Sequence, residues 1–176
     1  MSQYSSQIQE EQQVVDRAYG RLDDLRTQAR ERLSDVRAAG SHGSPTQRTE
    51  RDSFATMYED RLTQLRAVED RLVFGRLDDE SGNRRYIGRI GLSDENHEPM
   101  LTDWRAEAAR PFYEATPSHH GDIVMRRHIT LHFREVVGIE DEVLDVHSDQ
   151  VGQASSAGTL TGEGALLASL SSRRTG

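Results

Sequence analysis

Cysteine is absent from the chain, and so is lysine: all 22 basic residues are arginine. Without a thiol there is no disulfide scaffold, no thiolate nucleophile and no cysteine-ligated zinc site. Without lysine there is no phosphate-binding loop of the G-x-x-x-x-G-K-[ST] kind, because that loop needs its lysine. Arginine in place of lysine throughout otherwise reads as GC-rich codon usage. Hydrophobic residues make up 34% and aromatics 6% of the 176 positions. Mean hydropathy is -0.76, so the core must be small for the length. No apolar stretch approaches the roughly 20 residues that span a bilayer. The polar opening from Met1 to Glu10 lacks the apolar centre of a signal peptide. A cytoplasmic location without a membrane partner is the expectation. Thirty acids give a net charge of -8, which argues against a broad basic surface for nucleic acid.

What the chain does have is helical patterning at its start. Ile8, Val15, Leu22, Ala29 and Val36 recur every seven residues, with Ala18, Tyr19, Leu25 and Leu33 filling the same stripe. Gly20 interrupts it and reads as a bend or a close contact. Gly40 is a candidate helix terminator. Ser44-Pro45-Thr46-Gln47 matches a capping box with proline at the first helical position. Phe54, Tyr58, Leu62, Leu65, Val68 and Leu72 form the stripe of the second helix. The short link from Gly40 to Gly43 makes the two helices antiparallel neighbours. That pairing puts Leu33 near Arg51, Leu22 near Leu62 and Val15 near Val68. Residues 1–72 are thus read as a coiled-coil hairpin on the order of 40–50 Å long, much of it projecting.

Residues 73–147 read as a small, mainly β unit. Val73 to Leu77 and Arg85 to Leu92 are extended, with a turn from Asp78 to Asn83 between them. Met100 to Trp104 is a third strand. Ala106 to Arg110 is one helical turn stopped by Pro111. Ile123 to Ile139 gives two strands turning near His132 and Phe133. This unit carries nine arginines against fifteen acids, so most of the acidity sits here. Residues 148–176 read as a linker rich in glycine, serine and alanine, leading to the start of an amphipathic helix at Ala165. The fold class is therefore α+β: a long antiparallel two-helix coiled coil, a small mainly β unit, and a linker.

Chemistry finds little support. Gly88-Arg89-Ile90-Gly91 suggests a bulge or close backbone contact in a strand, not a phosphate cradle. No G-x-S-x-G elbow is present. His128 and His132 are four apart, but their neighbours are strand residues and no third ligand is spaced for a metal. The runs Asp78-Asp79-Glu80 and Glu140-Asp141-Glu142 read as solvated turn charge. No catalytic residue, no metal site and no cofactor site are expected in this chain. Asp103-Trp104-Arg105 is the most informative cluster, holding the only tryptophan. Trp104 reads either as core filling, with Asp103 paired to an arginine, or as an interface anchor.

Several blocks carry a family resemblance. They are Val15 to Arg26 (V-D-R-A-Y-G-R-L-D-D-L-R), Phe74 to Asp78 (F-G-R-L-D), Arg85 to Asp94 (R-Y-I-G-R-I-G-L-S-D), Glu98 to Ala106 (E-P-M-L-T-D-W-R-A) and Ala109 to Thr116 (A-R-P-F-Y-E-A-T). Their order resembles the N-terminal region of HelD, the superfamily 1 helicase-like ATPases that associate with bacterial RNA polymerase. Glu107 stands where that family often carries proline. The resemblance implies a hairpin that enters the polymerase secondary channel, with a globular base and a motor that follows. It implies bacterial RNA polymerase core as the partner, with no direct nucleic-acid site here. ATP and magnesium would belong to the motor alone, whose nucleotide motifs are expected beyond Gly176. The residues expected to meet the polymerase are the tip, Gly40, Ser41, His42, Gly43 and Ser44 with Gln47 and Arg48, together with Asp103, Trp104 and Arg105. The tip lacks the paired acids of transcript-cleavage factors, so a steric role is expected. The alternative is a structural adaptor that dimerises through its hairpin.

Overall fold

Ser2 and Ser44 start the two long helices by the same device. Each is extended and offers its hydroxyl to a backbone N–H in the first turn, Ser5 and Gln47 respectively. A computed structural model of the chain describes residues 2–40 and 43–146. In it α1 runs Gln3–Ala38 and α2 runs Pro45–Ala67. The Ser44–Gln47 capping box is complete: the Gln47 side chain accepts from the Ser44 N–H at 3.0 Å. Gly40 leaves α1 at φ 64°, a left-handed conformation that glycine adopts without strain. The expected linker and helix start, residues 148–176, lie outside the described residues.

Six strands follow: β1 Val73–Asp79, β2 Arg84–Gly88, β3 Leu92–Ser93, β4 Pro99–Asp103, β5 Ile123–His132 and β6 Glu135–Val143. They form one sheet in the order β3-β4-β2-β1-β5-β6, antiparallel throughout except between β2 and β4. The α+β layout is as the sequence predicts. Alternation then decides what each strand offers to which side. In β5, Arg127 and Ile129 face α1, while Arg126 faces the short helix α3 (Pro111–Glu114) and donates to the Phe112 and Ala115 carbonyls. The sheet is covered on both faces. On one side Val15, Tyr19, Leu22, Leu65 and Val68 share a cluster with Leu101, Ile129 and Ile139. On the other, Leu77, Ile87, Phe112 and Leu144 pack together. Each fully buried leucine contributes about 1.5–3 kcal/mol, so helices and sheet are held by a common core.

Several expectations need correction. Only the upper part of the hairpin projects, because the α1 segment from Glu11 to Asp23 is bound to the sheet. The helix pairing slides by about two turns. Leu33 sits with Leu62, Tyr58 and Ala55 instead of Arg51, and Arg26 reaches the Leu65 carbonyl. α2 starts at the expected cap, but with this pairing its first turns run past the end of α1, and Gly43 to Glu50 remain exposed. Gly20 is exposed within a continuous helix, with open space where a Cβ would be, and marks no close contact. The strand expected from Arg85 to Leu92 breaks after Gly88, where a Cβ would collide with the Leu72 carbonyl and the Leu101 side chain. The helical turn expected before Pro111 does stop there, and Pro111 in addition opens α3, since its fixed φ suits a first turn. The preceding turn is a 3₁₀ segment, Glu107–Ala109. Glu140, Asp141 and Glu142 lie within β6, not in a turn, and two of them pair with arginines of β5.

Candidate functional site

The projecting tip is assembled from both helix ends. Arg51 donates to the Gly40 carbonyl at 2.5 Å, closing α1 onto α2 across the link. Gly43, at φ 124°, brings the chain into the cap. Gly40, Ser44, Gln47 and Arg48 are exposed there, whereas Ser41 and His42 lie outside the described residues. Just below, Phe54 and Met57 are half exposed on α2, so Phe54 leaves the expected seam and faces solvent.

Asp103, Trp104 and Arg105 stand far from the tip in the chain, at the end of β4. The Trp104 N–H donates to the Gly88 carbonyl at 2.9 Å, which pins the turn. Asp103 accepts from the Arg105 backbone at 2.8 Å and from its guanidinium at 3.0 and 2.9 Å. That guanidinium holds the Asp103 carboxyl below the usual carboxylate range. The expected pairing of Asp103 with an arginine is therefore present, but Trp104 does not fill the core. It is 46% exposed, stacked edge-on against Tyr113 at 6.5 Å, with the Arg105 guanidinium 6.0 Å from its ring centre.

Trp104 also forms one wall of a groove of about 950 Å³ that sequence reasoning missed. Phe74, Leu131 and Phe133 supply further apolar wall, and Arg71 and Arg89 the charge. These residues come from four separate chain segments that meet at one end of the sheet, so no local motif announces them. Phe133 is 76% exposed, the highest value among the large apolar side chains described. It occupies the tight β5–β6 turn at φ 55°, where glycine or asparagine would be expected. Arg71, also at φ 57°, forms another edge of the same groove.

What holds these surfaces on a common frame is a set of arginine forks. Glu11 is fully buried, and its Oε1 accepts from both Arg76 and Arg127. Arg76 and Arg127 are directly paired across β1 and β5. Each has a second carboxylate, Asp78 for Arg76 and Asp141 for Arg127. Tyr86, the neighbour of Arg76 across β2, has its phenol pushed up by burial and by the Glu11 charge. A second fork lies beside the groove: Arg134 grips Asp23 of α1 at 2.7 and 2.8 Å and Glu69 after α2 at 2.9 and 3.2 Å. The Tyr19 hydroxyl beneath it donates to the Glu69 carbonyl at 2.6 Å. Arginines within apolar strand segments, Arg76 in β1 and Arg127 in β5, were the available signal for this network. Nothing in the helix pattern marked Glu11 as its inward partner.

Among the described residues no three potential ligands cluster to hold a metal, and no helix is long and apolar enough to cross a membrane. What the described geometry provides is surfaces for contact, the capped tip and the Trp104 groove. A family model described as "DNA helicase IV HelD, N-terminal domain" matches residues 8–156. No curated protein matches the chain.

Proposed function

The chain belongs to the HelD N-terminal domain family, and from that premise we propose that it is the polymerase-binding module of a HelD-like ATPase. In this reading the free end of the hairpin enters the secondary channel of bacterial RNA polymerase core. Occupying that channel helps to release nucleic acid and recycle the enzyme. The observation that supports it is the shape of the hairpin. Its lower half is bound to the base by Glu11, Asp23 and Tyr19, while its upper half extends away from the sheet, with α2 starting at a complete capping box. A probe needs both a fixed base and an unencumbered end. Contacts are assigned to Gly40, Ser41, His42, Gly43, Ser44, Gln47 and Arg48 at the tip, and to Asp103, Trp104 and Arg105 on the base. The role of the tip is steric, since Gly40 to Ser44 lack the paired acids that would bind the catalytic magnesium of the polymerase.

Capture of core polymerase by the intact chain, compared with a chain lacking residues 38–49, tests the proposal. Loss of capture is expected on deletion; equal capture by both would remove the tip from the account. Stimulated transcript cleavage by a backtracked polymerase would contradict the steric role. A second reading rests on Phe54 and Met57, whose exposed side chains could seat a second hairpin. Sedimentation separates the two, an elongated monomer favouring the probe and a dimer the adaptor.

A further inference from the structure

The groove beside Trp104 has features that the fold itself does not use. Phe133 leaves three-quarters of its surface in water and meets only His132, at 4.6 Å between rings, among the aromatic contacts of the described residues. Its left-handed backbone, at φ 55°, is one that a bulky residue adopts only at a cost. The Arg134 forks to Asp23 and Glu69, immediately next in the chain, hold that turn in place. Arg71, the second left-handed residue, faces the groove from the α2–β1 link. Three residues other than glycine have positive φ among those described, and two of them line this groove. Strain kept at one place and not needed for packing points to a ligand.

The charge of the groove indicates which. In a chain of net charge -8, this wall carries Arg71 and Arg89 against one acid, Asp70. Arg89 spends one N–H on the Asp70 carbonyl at 2.9 Å, and neither arginine has a carboxylate partner among the described residues. Every other arginine flanking the groove is committed, Arg105 to Asp103 and Arg134 to Asp23 and Glu69. Two guanidinia without a carboxylate partner among the described residues, beside an apolar slot, favour an occupant with carboxylates and apolar side chains together. The chain beyond residue 146 is a poor candidate. It carries Asp149 and Glu163 against Arg173 and Arg174, with no acid among its leucines from Ala165 to Leu170.

We propose that this groove binds an acidic, apolar-bearing segment of another protein. Its carboxylates meet Arg71 and Arg89, and its apolar side chain lies between Trp104, Phe74 and Phe133. The groove shares Trp104 with the contacts assigned above to the base, and the inference goes beyond that reading by adding Arg71, Arg89 and Phe133 as a binding surface for a second class of segment.

Trp104 is the only tryptophan, so its fluorescence reports occupancy directly in the full chain. The probe is a short synthetic peptide alternating aspartate with leucine and phenylalanine. Its control replaces every aspartate by asparagine. Saturable change with the first and none with the control is expected. An Arg71→Gln, Arg89→Gln double variant should weaken binding by at least about tenfold, as two charge-assisted contacts require. Phe133→Gly should also weaken binding, yet raise the thermal midpoint because the turn is relieved of strain. That opposite movement separates a binding role from a folding one. Equal binding of the asparagine peptide, or unchanged affinity in both variants, would overturn the proposal. So would a signal given by a thymidine oligonucleotide and not by the peptide, or one that tracks self-association in sedimentation. No polymerase is present in the assay, so its failure is distinct from failure of the capture experiment.

Discussion

Arg127 donates to the carboxylate of Glu11 over 2.7 Å, although the two residues are 116 positions apart. Both are almost fully buried, and this contact, repeated from Arg76, locks the first helix to the middle of the sheet. The lower hairpin is therefore a fixed part of the base.

Glu11→Ala removes the shared acceptor and leaves two buried guanidinia facing an apolar gap. Breaking a buried ion pair from one side costs about 3–5 kcal/mol. Asp78 and Asp141 keep one partner for each arginine, so a loss nearer about 3 kcal/mol is expected. Urea unfolding measures it. A loss below about 1 kcal/mol would show that the core alone docks α1.

Gly20 and Gly88 should respond in opposite directions to alanine. Gly20 has open space around it in a helix interior, so Gly20→Ala is expected to stabilise by about 0.5–1 kcal/mol. Gly88→Ala drives a methyl into the Leu72 carbonyl and Leu101. It should destabilise by about 1–3 kcal/mol, as overpacking does. Thermal melts of the two variants against the parent decide it.

Ser44→Ala removes the hydroxyl that satisfies the Gln47 N–H. A cost of about 1 kcal/mol is expected, felt as fraying of the exposed first turns of α2. Hydrogen exchange should quicken from Thr46 to Arg48 and stay unchanged in the sheet. Unchanged protection at these amides would mean that the cap does not hold the tip.

Acid should weaken the fold through groups with known partners. Arg134 holds the Asp23 carboxyl below the ordinary aspartate range, and Arg105 does the same for Asp103. With folded values below unfolded ones, the unfolded chain binds more protons as pH falls. Stability present above about pH 4 is therefore lost as pH drops through the folded values. His128, pushed down by burial and then by Arg126, adds a smaller loss with the same sign below about pH 6.5. Asp23→Asn should flatten the acid limb of the urea midpoint plotted against pH, and an unchanged slope would exclude this pair as its source.

Local patterns carried much of the architecture. The seven-residue spacing from Ile8 to Val36, the Ser44–Gln47 box and the alternation of β5 are short-range signals, and each element they mark is present. Misreadings fell where distant segments meet. The Glu140–Glu142 run reads as turn charge until Arg126 and Arg127 are set beside it. The close backbone contact expected at Gly88 is present, but that the strand stops there depends on the approach of the Leu72 carbonyl. Trp104 reads as either core or interface anchor from the sequence, and only the packed sheet shows it half exposed, covered by Tyr113 on one edge. For the same reason the groove was illegible: its walls come from segments joined only by folding.

The absence of lysine and cysteine determined by itself that this stretch has no lysine-dependent nucleotide loop and no thiol chemistry. A residue type that is missing cannot be restored by any fold. The sequence also determined the helix caps and the α+β order, since hydrogen bonds and side-chain periods within a few residues set them. Only the tertiary structure decided which charges are buried, how far the hairpin stands free, and that Trp104, Phe133, Arg71 and Arg89 share a groove. Those depend on register and layer packing, where a shift of two helical turns or one strand position reassigns every partner.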